Sequence, residues 1–478
     1  MNNLIKIIFV LIFLLPVCTQ GQAVTWQKYY NYENGNDFAY DAIQTFDGGY
    51  LLTGNGRSSS VFRGCFLLKL DLLGNVEWKK LIGSQSELRS VKKVEQLSDS
   101  GFLFVGSCFD SLLLFKTDSK GEVEWEKKFC EDNGEARGFS FRTTKDNSII
   151  MCGDIFFSSP SLRIYPYVIK TDMNGNLKWK RYYDDMLNLI PFDIISIKNS
   201  EYVFCTSEYL RKLDSVGNII NTISYWSGPG SLALKAMTYV EPDIIYSCGV
   251  SELNSQYSFH ALKVDVNDSL YWSNSIVSPE NVAGQGDGIC YKDGNLYMTG
   301  TYNMKGVVPF VKVSSSGETK IYNLITESMA VESYGNSIKP ANDGGFIIGA
   351  TTRFGPTFSY KFLAIKTDSN GFAPKLVNVQ SNSEQTHDFT LYQNFPNPFN
   401  PVTAIKYYLP TESLIILEVF DITGKKIEEI ENERKSSGYY TVKFNGINLS
   451  SGIYFYKLTI NNEGFFYKSV IKKMLIIK

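Results

Sequence analysis

The chain has 478 residues, with 47 Lys and Arg against 49 Asp and Glu, two His and eight Cys. A net charge of −2 gives no electrostatic reason to expect nucleic acid or an anionic membrane as partner. No nucleophile motif, phosphate loop, Cys-x-x-Cys pair or metal-ligand cluster is present, and the 14% of aromatic residues, mostly Tyr and Phe, suits β structure.

In chain order, the first element is an export signal. Met1 to Lys6 carry one lysine and no acid, Ile7 to Cys18 are almost all apolar, and Thr19-Gln20-Gly21 offers small residues for cleavage. Residues 1–21 therefore read as a signal peptide, too short to span a membrane, with cleavage near Gly21–Gln22 or after Ala23. A lipid-modified Cys18 is the competing reading, although Pro16-Val17 rather than a small residue precedes it. No later segment is long and apolar enough to cross a bilayer as a helix, so the mature chain is expected to be exported with no transmembrane segment. Seven cysteines remain after cleavage. Cys152, Cys205 and Cys248 recur at one place in a repeat, which reads as small buried strand residues rather than ligands or nucleophiles.

From residue 22 to about 380 runs a diverged internal repeat. One marker is Lys-x-Asp-x-x-Gly, starting at Lys69, Lys116, Lys170, Lys212, Lys263, Lys312 and Lys366, with Asp268 replacing Gly in the fifth copy and Ser314 replacing Asp in the sixth. Trp78, Trp125, Trp179 and Trp272 each lie nine residues after their Lys. A second marker precedes each copy. It is an Asp/Gly turn and a β run usually closed by Gly: Asp47–Gly54, Asp99–Gly106, Asp146–Gly153, Asp293–Gly300 and Asp343–Ala350, with weaker forms at Asn199–Thr206 and Pro242–Gly249. Four strands in roughly fifty residues, seven times over, predict an all-β, seven-bladed β-propeller. The last copy lacks its fourth strand, because Pro374 falls where Trp is due. Trp26-Gln27-Lys28-Tyr29-Tyr30 matches Trp179-Lys180-Arg181-Tyr182-Tyr183, so the N-terminal strand is expected to complete blade seven and close the ring. The Asp-x-x-Gly turns place Gly too early, and lack the distal Glu, for a calcium loop; they read as hairpin turns.

In a four-stranded meander the middle loops and the links between blades share one face. The middle loops vary from 6 residues (Thr206 to Lys212) to 17 (Gly153 to Lys170), whereas the turns are nearly uniform. Variable loops on one face mark the expected binding side. Its candidate residues are Arg57, Phe62, Arg63, Phe157, Arg163, Tyr165, Tyr257, Tyr302, Arg353 and Phe354, aromatic and guanidinium groups suited to glycan or peptide. No catalytic, cofactor or metal residue is assigned. The expectation is a non-enzyme; an extracellular hydrolase or lyase using carboxylates such as Asp184-Asp185 is the alternative.

Residues 381–388 read as a linker, and 389–478 as a second domain. Pro-rich Tyr392–Pro401 is followed by short β runs at Ala404–Leu409, Leu414–Phe420, Tyr439–Phe444, Ile453–Ile460 and Phe465–Ile471, broken by Gly-containing turns, which predicts a small antiparallel β-sandwich of immunoglobulin-like type. The motifs Asn397-Pro398-Phe399-Asn400-Pro401, Val419-Phe420-Asp421 with Gly424, Ser451-Gly452-Ile453-Tyr454 and the closing Lys472-Lys473 run resemble, in order, the type A C-terminal sorting domain of the bacterial type IX secretion system. The repeat markers resemble those of secreted bacterial propellers found beside such tails. The resemblance implies passage to the periplasm, recognition of the folded tail by the type IX machinery, and delivery outside or onto the outer surface of a Gram-negative cell, with the tail commonly removed.

Overall fold

The computed structural model describes residues 24–374 and 390–478, apart from short segments at 33–35, 58–62, 84–86, 160, 226–230, 254–255, 268, 278–282, 303–305, 327–329, 355–358, 395, 410–411, 423–424 and 463–465. The expected signal peptide (1–21), the expected linker (381–388), Phe62 and Gly424 lie outside the described residues. Residue contacts divide the chain into two units, Met1–Val377 and Asn378–Lys478.

The first unit is a succession of four-stranded antiparallel meanders, the building block of a β-propeller. The first repeat runs Phe38–Gln44, Tyr50–Arg57, Arg63–Leu70 and Val76–Ile82, each strand paired with the next. The next five repeats follow the same order. The last has three consecutive strands, Ala330–Pro340, Phe346–Phe354 and Tyr360–Thr367, and its fourth is Trp26–Tyr30 from the other end of the chain, in register from Trp26↔Lys366 to Tyr30↔Phe362. The sixth and seventh repeats are further joined by one bridge, Thr301↔Tyr334.

The first sequence marker has a packing reason. In the five repeats whose outer strand carries a Trp, that ring lies on the corresponding turn of the following repeat. A Cβ on Gly121 would meet the Trp78 ring at 2.8 Å, on Gly175 the Trp125 ring at 2.9 Å, and on Gly217 the Trp179 ring at 2.8 Å. These glycines also have positive φ, so both backbone and space select them. Trp26 lies on Gly74 in the same way, with its indole N–H donating to Leu72 O at 3.1 Å. Trp26 thus does for the seventh repeat what Trp78 does for the first. The seventh-repeat strands and the first-repeat strands share one apolar cluster that includes Trp26, Tyr50, Phe66, Ile347 and Phe362.

The lysine of the same marker reaches back to the Asp of the second marker. Lys69 Nζ lies 2.9 Å from Asp47, Lys116 2.8 Å from Asp99, Lys170 2.8 Å from Asp146 and Lys366 2.9 Å from Asp343. Where the acid is missing or displaced, the lysine sits over aromatic rings instead: Lys263 over Tyr246 and Tyr271, Lys312 over Tyr297.

The glycine that closes the second marker answers to a β-bulge. In six repeats the innermost strand slips by one residue, at Tyr40, Lys92, Phe139, Lys235, Asp287 and Asn336. The bulge folds a carbonyl over its partner. A Cβ on Gly54, Gly106, Gly153, Gly249 or Gly300 would fall within 2 Å of that oxygen. The fourth repeat, with Thr206 at this position, pairs without a slip. Cys152, Cys205 and Cys248 sit one residue before this point, fully buried, and all seven described cysteines are free.

The second unit has a three-stranded sheet (Thr390–Leu391, Val402–Leu409, Gly438–Asn445) and a four-stranded sheet (Lys426–Lys435, Ser413–Asp421, Gly452–Asn462, Phe466–Ile476). Alternate residues of both, Ile405, Tyr407 and Leu409 with Ile415, Leu417, Val419, Tyr456 and Leu458, fill one core. The Pro-Asn-Pro entry is pinned to the final strand. Phe399 is buried in that core, its N–H donates to Leu475 O, and Ile477 N–H donates back to Phe399 O, both at 3.0 Å. Asn397 Oδ1 accepts from Leu475 N–H at 2.8 Å, and Pro401 O accepts from Gly446 N–H. Asn400 is exposed. Asp421 closes its turn by accepting from Lys425 N–H, the buried Tyr454 donates its hydroxyl to Ser450 O, Gly452 opens the strand that carries it, and Lys473 O accepts from Gln393.

Candidate functional site

A recess of about 560 Å³ opens across the fifth, sixth and seventh repeats, among strand ends that include the start of Gln256–Asp265 and the end of Asn295–Tyr302. Its wall is Tyr257, Gly284, Gln285, Thr301, Tyr302, Glu332, Ser333 and Tyr334, with Ala283 and Val331. Two of the ten candidate residues meet here. Tyr257, at the start of its strand, is 48% exposed; Tyr302, at the end of its own, is only 3% exposed. The Tyr302 hydroxyl has no hydrogen-bond partner among the described residues.

The carboxylate of the recess is held in place. Glu332 accepts from Tyr334 OH at 2.8 Å and Tyr360 OH at 3.0 Å, and Arg353 closes a 2.5 Å ion pair with it. The Tyr334 hydrogen bond, then the Tyr360 hydroxyl and Arg353, keep Glu332 below the usual carboxylate range against the upward push of burial. The neighbouring Asp287 is likewise spoken for, by Lys235 at 3.0 Å and Thr301 Oγ1 at 2.9 Å. The recess therefore presents rings and hydrogen-bonding groups with its charges internally paired. Thr301 and Tyr334 are the two residues that bridge the sixth and seventh repeats.

The other candidates separate into two groups. Phe157 and Tyr165 pack with Tyr182 of the outer strand at 5.7–6.3 Å between ring centroids, and Phe354 packs on Tyr29 of the closing strand at 5.0 Å; these rings support their own loops. Arg163, exposed, pairs with Phe157 across the hairpin. Arg57 and Arg63 are exposed and directly opposite each other in the first repeat. The sequence pattern groups all ten as one face, whereas the structure places Tyr257 and Tyr302 in the recess, joins Arg353 to it through Glu332, and leaves Arg57, Arg63, Phe157, Arg163, Tyr165 and Phe354 out of its lining.

Glu332, Tyr334 and Gln285 escaped the sequence reading because they belong to innermost strands, outside both markers. A signal existed. The bulged residues lie fourteen positions before the closing Gly or Ala, thirteen in the sixth repeat, and Glu332 and Gln285 lie just ahead of them.

A second recess, of about 520 Å³, includes Glu131, Asp184 and Asp185. Two of its three acids are engaged: Glu131 pairs with Lys180 at 3.0 Å and accepts from Tyr167 OH, and Asp185 pairs with Arg211 at 3.1 Å. His260 is buried among Ser273 and Ser275, and burial lowers it to about 4, which leaves it neutral at physiological pH. Among the described residues no group of three or more His, Cys, Asp or Glu is placed to hold a metal, and no helix is long and apolar enough to cross a membrane.

Comparison with known proteins bears on both units. Residues 393–473 match the family of secretion system C-terminal sorting domains. That tail is a type IX sorting domain, and it implies interaction with the type IX machinery and secretion. No curated protein matches the chain. Among solved structures, the chain is similar to a protein of unknown function from Bacteroides caccae (12% identity, 58% of this chain and 94% of that one, TM-score 0.40). It is also similar to the Neurospora crassa Pan2 WD40 domain (12%, 74% and 98%, 0.46). A third is an extracellular domain assigned to a hybrid two-component system of B. thetaiotaomicron (9%, 95% and 57%, 0.44). At these scores the propeller-like reading rests on the strand pairings rather than on the neighbours.

Proposed function

We propose that this chain is a secreted, non-catalytic binding protein: a closed seven-bladed propeller that holds a glycan or protein ligand on its variable-loop side, exported by its immunoglobulin-like sorting domain and acting outside the cell or on its surface. The observation that carries the reading is the recess at the fifth to seventh repeats. Its size suits one or a few sugar rings or side chains, an exposed Tyr257 offers a stacking surface, and Gln285, Thr301, Ser333 and Glu332 offer hydrogen bonds. Its one lining carboxylate is neutralised by Arg353, which suits orientation of a ligand better than proton transfer.

The test is binding of the full chain to glycan and peptide arrays, beside a polysaccharide-degradation assay. Binding that Tyr257→Ala weakens about tenfold, the worth of one stacked ring and its hydrogen bonds, is expected. The competing reading is an extracellular hydrolase or lyase, and the recess holding Glu131, Asp184 and Asp185 is what favours it. Product formation abolished by Asp184→Asn or Asp185→Asn would overturn the non-catalytic reading.

A further inference from the structure

The first three repeats carry an electrostatic arrangement that folding alone does not favour. Arg57 and Arg63 stand directly opposite each other at the loop end of a hairpin, both exposed. Like charges in that relation repel and weaken the pair. Beside them, the bulge of the second repeat holds Lys92 with its ammonium 3.3 Å from the centre of the Tyr40 ring, itself the bulged residue of the first repeat. Among the described residues Lys92 makes no ion pair. Burial lowers it to about 8, and Arg63 and Arg137 push the same way. Arg137 belongs to the third repeat, where it forms a 2.5 Å pair with Asp154 and stays 44% exposed. Of the acids nearby, Asp154 already neutralises Arg137, and Asp37 accepts from the backbone N–H groups of Tyr32 and Arg57, which leaves Arg57, Arg63 and Lys92 as the repelling cations.

A cluster of cations that repel one another, one of them half-desolvated, is stabilised by whatever anion comes between them. Each bulge sets its side chain one residue out of step with the strand, so Tyr40 and Lys92 meet across the seam between repeats instead of alternating into separate faces. We propose that Arg57, Arg63 and Lys92, bordered by the Asp154-paired Arg137, form a ledge that binds an acidic polysaccharide through its carboxylate or sulfate groups. The choice of a saccharide rests on the secreted reading of the chain, since export places the ledge among extracellular polymers; the anionic chemistry rests on the ledge itself. Arginine forks match both oxyanions bidentately, and the Tyr40 ring under Lys92 keeps the ammonium at a fixed height.

The experiment uses the full chain with polygalacturonate (carboxylate), heparin (sulfate), neutral dextran and single-stranded oligothymidine as probes. Polygalacturonate or heparin should bind, dextran should not bind at this ledge, and affinity should fall about tenfold between about 50 and 200 mM salt for three charge contacts. Arg57→Gln and Arg63→Gln should each cost about tenfold in affinity while leaving the melting temperature unchanged or higher, because removing one of two opposed charges relieves repulsion. A merely structural arginine would lower it. Lysine side chains methylated with a 13C label should show the Lys92 titration moving upward when the bound polymer is present.

Failure of both acidic polymers to bind at low salt overturns the proposal, as does undiminished binding by Arg63→Gln. Oligothymidine binding as tightly as the better polysaccharide overturns the saccharide assignment. A full chain that binds a neutral glycan through Tyr257 but no polyanion removes the ledge and leaves the recess standing, so the two readings fail separately.

Discussion

Replacing Trp26 by Ala tests the role of the N-terminal strand. Trp26 is 7% exposed and its ring lies on the Gly74 turn, where a Cβ would come within 2.9 Å. It meets Tyr50 edge-on with centroids 5.6 Å apart, and its indole N–H donates to Leu72 O. Burial of a tryptophan this complete is worth about 3–5 kcal/mol on truncation to Ala, and the lost hydrogen bond leaves Leu72 O near the surface, adding about 1 kcal/mol or less. The contact joins residue 26 to residues near 74 while Trp26 pairs with Lys366, so its loss loosens both ends of the repeat array together. Trp78→Ala is the internal comparison. It removes an equivalent contact with Gly121, but inside a continuous run of repeats and from a more exposed ring. Guanidinium unfolding followed by far-ultraviolet circular dichroism, with amide exchange on Tyr360–Thr367, should show Trp26→Ala losing at least about 3 kcal/mol and deprotecting that strand. A loss under about 1 kcal/mol, with Tyr360–Thr367 still protected, would refute the view that this strand fastens the two ends.

Lys366 is fully buried beside Asp343, so Asp343→Ala should cost about 3–5 kcal/mol by stranding an ammonium. Lys366→Met added to it should recover most of that in the same denaturation assay; equal instability of single and double variants would count against the pair. Burial alone would raise Asp146, but Lys170, then Thr144, outweigh it and hold it at about 2, against an ordinary 3.8. Its folded value is thus depressed, so its contribution is present above about pH 4 and is lost as pH falls toward 2. The melting-temperature gap between the wild type and Lys170→Met should therefore close over that range, and a gap that persists at pH 2 would exclude this linkage. In the sorting domain, Phe399→Ala should cost about 3–5 kcal/mol and leave the protein in the periplasm, as should deletion of Leu449–Lys478. Normal surface delivery of the Phe399 variant, with its tail shown to be unfolded, would mean that the machinery reads a linear motif.

Much of the architecture is legible along the chain because its causes are local. Lys-x-Asp-x-x-Gly turns, Asp/Gly turns and alternating apolar residues each act within a few positions, and their spacing alone gives four strands per repeat. The tail is legible for the same reason, since Asn397 to Pro401 and the later Gly turns form a fixed order. The recess is not legible in that way. Tyr257 was visible as an aromatic in a loop, yet Glu332 stands 75 residues later, on a strand with no marker. The Phe354 ring was counted toward the same face and packs instead on Tyr29, one strand position away from Arg353, which does reach Glu332.

By itself the sequence determined the repeat, the strand that answers for the missing one and the address carried by the tail. Tertiary structure decided which side chains meet: Trp26 with Gly74, Phe399 with the last strand, Lys92 with Tyr40, and Glu332 with Tyr302 at a common recess. The physical reason is parity. A strand's period of two says which residues share a face, but a bulge in six of the seven innermost strands shifts that count by one, and only the packing of neighbouring repeats fixes where the shifted side chains come together.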